Sequence, residues 1–393
     1  MNLPIKKATY FLLLLLPPFL ASAQTGVNTN GSNLTAPPTA VPFLNITPDS
    51  RSGALGDAGV ALSPDVNANY WNPAKLAFLD DKDNVSISYS PWLRQLVPDI
   101  SLSYLSYAHV FDDRNAIGAS LRYFNYGVIQ LYDDGQNAQG SYNPNEFSLN
   151  FSFARKFGDG FSLGGTVGYV HSNLANAFFS SGAGSASQSQ AGNAITAGVS
   201  LYYKKQFQEF GSDAVFAFGT NVSNIGTKMS YTTDGTKFFL PANLKVGFAN
   251  TINLDDYNQL TLTLDLNKLL VPTPPIRDAN GNIIKGTDDN VSVAGGIFGS
   301  FTDAPNGASQ EFQQITFSPG LEYWYNQIFA LRTGYFYENA NYGGASYLTL
   351  GLGFKYDSYK FDFSYLAATQ QNSALANTIR FTLSANFGPR KAK

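Results

Sequence analysis

Residues 378–387, TIRFTLSANF, alternate strictly between apolar and polar side chains. The odd positions are apolar and end at Phe387, while the even positions are polar and include Arg380. A period of two residues is the pattern of a β-strand whose two faces meet different surroundings. The pattern therefore predicts a strand with hydrocarbon on one face and a wet interior, containing Arg380, on the other.

The same alternation begins near residue 84 and continues to residue 387. Most segments are about nine to twelve residues long, the length that a tilted strand needs to cross a bilayer. They are 85–90, 101–110, 116–127, 146–157, 161–171, 194–204, 214–223, 243–251, 259–267, 313–325, 328–338, 346–356, 359–367 and 378–387. We therefore predict an all-β protein with an antiparallel transmembrane β-barrel over 84–387.

A fifteenth run, 290–301, also has the look of a strand. Barrels of the bacterial outer membrane have even strand numbers, short periplasmic turns and long outer loops. Four short connections lie at one end of the barrel only if this run is left out: 112–115, 157–160, 326–327 and 357–358. We therefore predict fourteen strands, with 290–301 as a helix inside one long extracellular excursion, 268–312.

Composition favours a membrane barrel over a soluble β-sandwich. Only 13% of the residues are charged, about half of the roughly 25% found in soluble domains. Sandwich strands are about five or six residues long, which is shorter than the segments found here. Aromatic clusters at segment ends, such as 323–325 and 335–337, match the girdles at membrane interfaces.

The first 23 residues have the three parts of a secretory signal peptide. Lys6 and Lys7 precede an apolar core, and an Ala-Ser-Ala site predicts cleavage between Ala23 and Gln24. An exported barrel belongs in the outer membrane of a Gram-negative bacterium. The other predicted segments outside the strands are a flexible lead at 24–42, a lumen segment at 43–80 and a periplasmic tail at 388–393.

The segment 43–80 does not alternate and is predicted to fill the barrel as a hatch. Its stretches 54–62 and 73–79 are expected to form short helices. Fourteen strands enclose an interior that is too wide for strand side chains alone, so water or a plug must occupy it. Asp265 and Arg380 are both predicted to face this interior, and the sequence leaves open whether they pair.

The residues offer little for catalysis or metal binding. Cysteine is absent, and the two histidines, His109 and His171, lie at strand ends where interface-level polar residues are common. Residues 278–282 resemble a calcium loop only weakly, because the expected glycine and glutamate are missing. We expect no enzyme activity and no cofactor. The predicted mature chain carries a net charge of −5, since Lys6 and Lys7 are removed, so nucleic acid is not an expected partner.

Residues 52–79 resemble the N-terminal hatch of the FadL-like outer membrane barrels, whose hallmark is an Asn-Pro-Ala turn. Here that turn is Asn72, Pro73 and Ala74. Within that superfamily the chain is similar to the PorV family of the type IX secretion system. The stretches that carry this likeness are 265–275, 301–305, 322–326, 330–336 and 377–383.

The resemblance implies a non-enzymatic role in protein secretion. PorV-type barrels bind a giant translocon barrel and the C-terminal sorting domains of secreted cargo. They carry the cargo to a surface attachment complex with a sortase-like protease, and outer membrane lipid surrounds them. Contact with these partners is expected at apolar residues of two long loops: Leu269, Leu270, Val271, Ile297, Phe298 and Phe301, and Phe178 and Phe179.

The alternative is a FadL-like transporter of hydrophobic small molecules with a movable hatch. It needs an apolar pocket in the lumen and a break in the wall. Pro319 lies within the segment 313–325 and cannot donate a ladder hydrogen bond, so it predicts a local break. Such a break is compatible with either function.

Overall fold

The computed structural model describes residues 36–92, 99–132, 135–174, 190–232, 235–369 and 377–388. The predicted signal peptide with its cleavage site at Ala23 and Gln24 lies outside these ranges, as do residues 24–35 of the lead, Phe178, Phe179 and residues 389–393 of the tail. No helix in the described ranges is long and apolar enough to cross a membrane.

Fourteen antiparallel strands form a closed barrel, which confirms the predicted fold class. Neighbours along the chain pair throughout, and β1 pairs with β14 to close the wall. The strands are β1 Asp83–Pro91, β2 Ser101–Val110, β3 Asn115–Asn125, β4 Asn145–Lys156, β5 Phe161–Asn173, β6 Gly192–Glu209, β7 Ser212–Gly226, β8 Asn243–Asn253, β9 Asn258–Leu269, β10 Ile315–Tyr325, β11 Phe329–Tyr337, β12 Ser346–Tyr356, β13 Tyr359–Ala368 and β14 Thr378–Phe387.

The faces of β14 are those that the alternation predicts. Phe381, Leu383 and Phe387 are exposed on the outer surface, while Arg380 and Thr382 are buried on the inner one. The exposed positions meet hydrocarbon in a membrane, where a charged residue near the midplane costs roughly 2–4 kcal/mol. Placing Arg380 inside avoids that cost.

The connections divide the barrel into two ends. At one end, which we call the turn end, every connection between consecutive strands is short. Strands β12 and β13, for example, are joined by Asp357 and Ser358 alone. At the opposite end, the loop end, the connections are longer. The longest described one, residues 270–314, is named the outer excursion. It carries a short hairpin, Ile276–Arg277 with Ile283–Lys285, and two helices, α3 Val293–Gly299 and α4 Ala308–Gln313.

Helix α3 confirms that the run 290–301 is not a barrel strand. The helix begins after Ser292, whose side chain accepts a hydrogen bond from the backbone of Gly295. A second hairpin, Ile129–Tyr132 with Ala138–Tyr142, rises from the loop between β3 and β4. Neither hairpin belongs to the wall, which therefore keeps an even number of strands.

The described part of the chain before β1, residues 36–82, contains four short helical turns. They are the 3-10 turn Pro42–Asn45, the α-helical turns α1 Ser50–Gly53 and α2 Ala68–Trp71, and the 3-10 turn Pro73–Phe78. The turn at 73–78 agrees with the prediction, but the helix predicted at 54–62 is wrong. Gly56 and Asp57 both have positive φ, 69° and 65°, and this left-handed pair reverses the chain where a helix was expected.

Candidate functional site

The hatch lies inside the barrel and packs directly on the wall. Leu55, Val60 and Leu76 are fully buried. Inward-facing glycines let the hatch backbone come close to the strands, because a Cβ atom on Gly334 would collide with the backbone of Leu55. A Cβ atom on Gly320 would lie 2.8 Å from the carbonyl oxygen of the same leucine. The lumen at this level is therefore filled by protein.

The Asn-Pro-Ala turn joins the hatch to strand β6. Asn72 Nδ2 donates hydrogen bonds to the carbonyl oxygens of Val60, at 3.1 Å, and Leu201, at 2.9 Å. Its Oδ1 accepts a bond from the backbone N–H of Ala74, which also donates to Ser200 Oγ at 3.0 Å. One asparagine thus ties two parts of the hatch to the wall, which gives the motif a structural role.

Asp265 and Arg380 each bind the hatch and do not pair with each other. Asp265 Oδ2 accepts hydrogen bonds from the backbone N–H groups of Gly59, at 2.7 Å, and Val60, at 2.9 Å. Arg380 Nη1 lies 3.6 Å from Asp57 Oδ1. Both charged residues of the wall therefore anchor the same short stretch of the hatch, residues 57–60.

A buried network of charges fixes the hatch to three further strands. Arg51 of the hatch makes a two-pronged contact with Glu322 of β10, at 2.9 and 2.8 Å. Arg332 of β11 donates to the same carboxylate at 2.6 Å and to Asp362 of β13 at 2.8 Å. Such paired, planar contacts are the strong form of ion pair.

The network is balanced in charge. Asp65 accepts a hydrogen bond from Arg51 at 2.9 Å, and Lys360 lies 3.0 Å from Asp362. Three cations and three anions are thus joined. Asp65 and Lys360 are partly exposed, and burial of the other four is tolerable only because each has a partner. Sequence reasoning missed this network. Its signal was available, since charged residues at inward positions of membrane-spanning strands are costly and mark a role.

The predicted contact residues of the outer excursion fall into two groups. Leu270 and Val271 are buried, and Leu269 and Ile297 are half-buried. At Leu270 the chain runs beside the loop of residues 227–242. The backbone N–H of Leu270 donates a hydrogen bond to the carbonyl oxygen of Ala242 at 2.7 Å. The leucine and the valine therefore pack within the protein and are not available to a partner.

Phe298 and Phe301 keep the exposure that a contact requires, at 78% and 45%. Phe312 of α4 and Ile284 of the hairpin are also exposed, at 72% and 66%, and sequence reasoning did not select them. Both lie in stretches with mixed polarity, where the sequence does not show which apolar side chain points outward. The outer excursion therefore presents scattered large apolar side chains at the loop end.

The remaining sequence candidates lack the geometry of a reactive site. Asp278 caps its own loop, because the backbone and side chain of Asn282 donate to it, and these bonds lower the pKa of Asp278. His109 binds Asp83 and His171 binds Asn193, both near the barrel surface. Within the described ranges no group of His, Asp or Glu is arranged to hold a metal ion.

A cavity of about 420 Å³ opens at the loop end between the hatch and strands β8 to β12. Trp71 and Trp92 line it together with Asp57, Lys245 and Glu338. Burial raises the pKa of Glu338, which lies just after β11. The volume is within the range of small-molecule sites, about 300–1,000 Å³, although three ionisable residues line it.

The wall beside this cavity is interrupted at Pro319. Strands β10 and β11 pair at Phe317 with Tyr337 and again at Gly320 with Gly334, with no ladder pair between them. A proline has no backbone N–H to donate, which explains the gap. The predicted local break is therefore present.

Comparisons with known proteins point to one family and one fold. The family model for type IX secretion system protein PorV matches residues 29–276. Among solved structures, a deltaS2S3 mutant of the TodX monoaromatic hydrocarbon channel is 14% identical, with a TM-score of 0.51, over 86% of this chain and 99% of that one.

Two further solved structures align with lower TM-scores. The CymD monoaromatic hydrocarbon channel is 14% identical with a TM-score of 0.47, over 87% of this chain and 98% of that one. The Ralstonia pickettii toluene transporter TbuX is 14% identical with a TM-score of 0.44, over 86% and 98%. No curated protein matches the chain. At 14% identity the likeness to the TodX deltaS2S3 mutant, with its TM-score of 0.51, speaks for the barrel fold alone.

Proposed function

Because the chain belongs to the PorV family of type IX secretion system proteins, we propose that it binds secreted cargo and the translocon barrel at its loop end. In this proposal it receives cargo that carries a C-terminal sorting domain and takes it to the surface attachment complex. The loop end faces outward, since barrels of this kind place their long loops outside the cell. The role involves binding and transfer, without a chemical step.

The observation that carries the proposal is the exposed apolar surface of the outer excursion. Phe298 and Phe312, 78% and 72% exposed, stand on two helices of this one connection. Aromatic residues dominate the energetics of protein–protein contacts. These side chains would bury their rings against a cargo β-domain or a partner barrel.

The filled lumen supports the same proposal. The hatch is held by a network of six charges, four of them buried, and by hydrogen bonds to several strands. Moving it would separate buried ion pairs, and breaking one such pair costs about 3–5 kcal/mol. A barrel with a fixed hatch is suited to act as a rigid carrier rather than as a conduit.

The alternative proposal is a FadL-like transporter of hydrophobic small molecules. The cavity of about 420 Å³ and the adjacent unpaired wall at Pro319 favour it, since they join a binding volume to a local break. It requires the hatch or the wall to open. The charged lining of the cavity by Asp57, Lys245 and Glu338 argues against a purely apolar ligand.

The experiment is a gentle detergent purification of the tagged protein from its native outer membrane, followed by mass spectrometry of proteins and lipids. The wild type is compared with a Phe298→Ser/Phe312→Ser variant. Tyr356→Ser is the matched control, because Tyr356 is 73% exposed at the turn end. We expect the double variant alone to lose the giant barrel and cargo more than tenfold.

Two results would overturn the proposal. One is a wild-type protein that purifies alone with stoichiometric fatty acid or another apolar compound, which would favour the transporter. The other is equal recovery of translocon and cargo by the double variant and the control. In that case the aromatic surface of the outer excursion has no part in binding.

A further inference from the structure

Lys268 is the last but one residue of β9 and lies where the wall leads into the outer excursion. Its ammonium group donates hydrogen bonds to Glu311 Oε2 at 2.8 Å and to Gln314 Oε1 at 2.6 Å. All three side chains are buried. The two ends of the outer excursion therefore meet at one lysine of the wall.

The two acceptors of this lysine extend the contact to the middle of the excursion. Glu311 Oε1 accepts a hydrogen bond from the backbone N–H of Ala304, at 2.9 Å, in the segment between α3 and α4. Gln314 Nε2 donates to Thr273 Oγ1 at 2.9 Å, and the backbone N–H of Thr273 donates to Asp303 Oδ2 at 3.1 Å. We call this buried group the base of the excursion: Lys268, Thr273, Asp303, Glu311 and Gln314.

Helix α3 packs on the same part of the excursion. Gly296 lies close to Pro272 and Phe239, because a Cβ atom on the glycine would be 2.9 Å from the Phe239 ring and 3.0 Å from Pro272. The ring centre of Phe301, just after α3, lies 5.9 Å from the ammonium group of Lys268. The two helices have seven and six residues, and helices this short are not stable in isolation. Their orientation therefore depends on the base beneath them.

Each helix has a buried side and an exposed ring. Glu311 and Phe312 are neighbours on α4, and the carboxylate is buried while the ring is exposed. Gly296 of α3 is buried, and Phe298 of the same helix is exposed. A displacement of either helix would therefore change the direction of a ring that is proposed to contact partners.

We propose that Lys268 is a positioning residue for partner binding, without contacting the partner itself. Through the base it holds Phe298 and Phe312 in one mutual arrangement before a partner arrives. A surface that is already ordered loses less conformational entropy when it binds. This role rests on the proposed function, since it concerns the same two rings, and it assigns part of the binding to a buried residue of the wall.

The ion pair at the base has no substitute within the protein. In the described ranges Lys268 is the only residue that forms an ion pair with Glu311. Removing one partner of a buried pair leaves the other charge uncompensated, so loss of the ammonium group would displace α4. The Arg277–Asp289 pair in the same excursion is exposed, and water can replace a lost partner there.

The test measures the arrangement of the helices and the binding of partners in the full-length protein. Ala294→Cys and Ser309→Cys place one spin label on each helix, at exposed positions, and no native cysteine competes for the label. The distribution of distances between the labels is recorded in lipid vesicles by pulsed electron paramagnetic resonance. Recovery of partners is measured with unlabelled protein purified from its native outer membrane.

Lys268→Met is the test variant, because methionine has a similar length and no charge. Lys355→Met, at an exposed position of β12 near the turn end, is the matched control. We expect Lys268→Met to broaden the distance distribution about twofold and to lower recovery of the giant barrel and cargo about tenfold. Lys268→Arg keeps the charge and should retain most of the recovery, while Lys355→Met should change neither quantity.

A second measurement separates positioning from direct contact. In the Phe298→Ser/Phe312→Ser background, Lys268→Met should cause no further loss of recovery, because a residue that acts through the rings has no effect once they are removed. A further loss of several-fold would show that Lys268 binds a partner by itself and would overturn the proposal. If Lys268→Met does not insert, Glu311→Gln replaces it, since it loses the same ion pair and keeps an acceptor for the backbone of Ala304.

The outcomes distinguish the positioning role from the proposed function. Normal recovery in Lys268→Met, or an unchanged distance distribution, overturns the positioning role and leaves the aromatic contact surface in place. Normal recovery in Phe298→Ser/Phe312→Ser overturns the proposed contact surface, and the positioning role fails with it.

Discussion

The hatch and the outer excursion differ in where their charged and apolar side chains lie. In the hatch, Arg51 is buried against Glu322, and every large apolar side chain from Leu55 to Leu76 is inside. In the outer excursion, Arg277 pairs with Asp289 in solvent, and Phe298 points away from the protein. The charged and apolar side chains of the hatch fix it to the wall, whereas those of the outer excursion remain available to a partner.

The difference assigns separate tasks to regions of one chain. Burial makes the interactions of the hatch strong and mutually dependent, so its position is set by the wall. Exposure makes the interactions of the outer excursion weak, so its surface can exchange water for a partner at small cost. Four changes test this contrast, in order of their expected effect on stability.

The largest effect is expected for Glu322→Gln. Loss of this carboxylate leaves Arg51 with Asp65 alone and Arg332 with Asp362 alone, so that three cations face two anions in the network. Removing one member of such a network costs about 3–5 kcal/mol. The free energy of unfolding, from reversible urea titration in lipid vesicles, should fall by that amount.

The matched control for this change is Asp289→Asn in the outer excursion. Its ion pair with Arg277 has the same length as the Arg332–Glu322 pair, 2.6 Å, but both side chains are exposed. Exposed pairs contribute about 0–1 kcal/mol. If both substitutions cost the same, burial is not what distinguishes the two regions.

A smaller loss is expected for Asn72→Ala. The side chain donates to Val60 and Leu201 and accepts from Ala74; the bonds to Val60 and Ala74 are buried, and the bond to Leu201 is partly buried. Leaving buried backbone groups without a partner costs about 1–3 kcal/mol. The same urea titration measures it. A loss below about 0.5 kcal/mol, the size of ordinary surface substitutions, would show that this turn does not hold the hatch.

A comparable or slightly smaller loss is expected for Gly334→Ala. The added methyl group meets the backbone of Leu55, which cannot move without shifting the hatch. Overpacking of this kind costs about 1–3 kcal/mol. Gly165→Ala is the control, because nothing lies within 4 Å of a Cβ atom there. Equal stability of the two variants, by thermal unfolding, would contradict the tight packing of hatch on wall.

The smallest effect on stability is expected for Phe298→Ser/Phe312→Ser. Both rings are already in water, so the free energy of unfolding should stay within about 0.5 kcal/mol of the wild type. Partner recovery should nevertheless fall more than tenfold. A large loss of stability would show that these rings pack on the protein and would remove them from the proposed contact surface.

The alternation of the strands predicted most of the fold. Successive side chains of a strand point to opposite faces, and with a membrane on one side the apolar set must face the lipid. The even strand number then assigned 290–301 to the outer excursion, and α3 agrees with it. The inward position of Arg380 and Asp265 followed from the same parity. The face of a side chain follows from the local alternation, and the number of strands follows from counting the alternating segments. Both can therefore be predicted from the sequence.

The partners of those inward residues could not be predicted. Arg380 and Asp265 bind Asp57 and the backbone of Gly59, and nothing in the sequence places that turn beside either strand. Long-range contacts in the lumen depend on the path of the hatch, which has no period. The burial of Leu270 likewise depends on the fold of a neighbouring loop.

Whether the hatch stays fixed while partners bind can be measured most directly with an engineered disulfide, because the chain has no native cysteines. Ser50→Cys/Thr382→Cys joins the hatch to β14, since the two native hydroxyl oxygens are 3.1 Å apart. With the disulfide formed, a fixed hatch predicts recovery of translocon and cargo within about twofold of the reduced protein, a difference of about 0.4 kcal/mol. Binding that disappears on oxidation and returns on reduction would show that the hatch must move, and would contradict the fixed carrier.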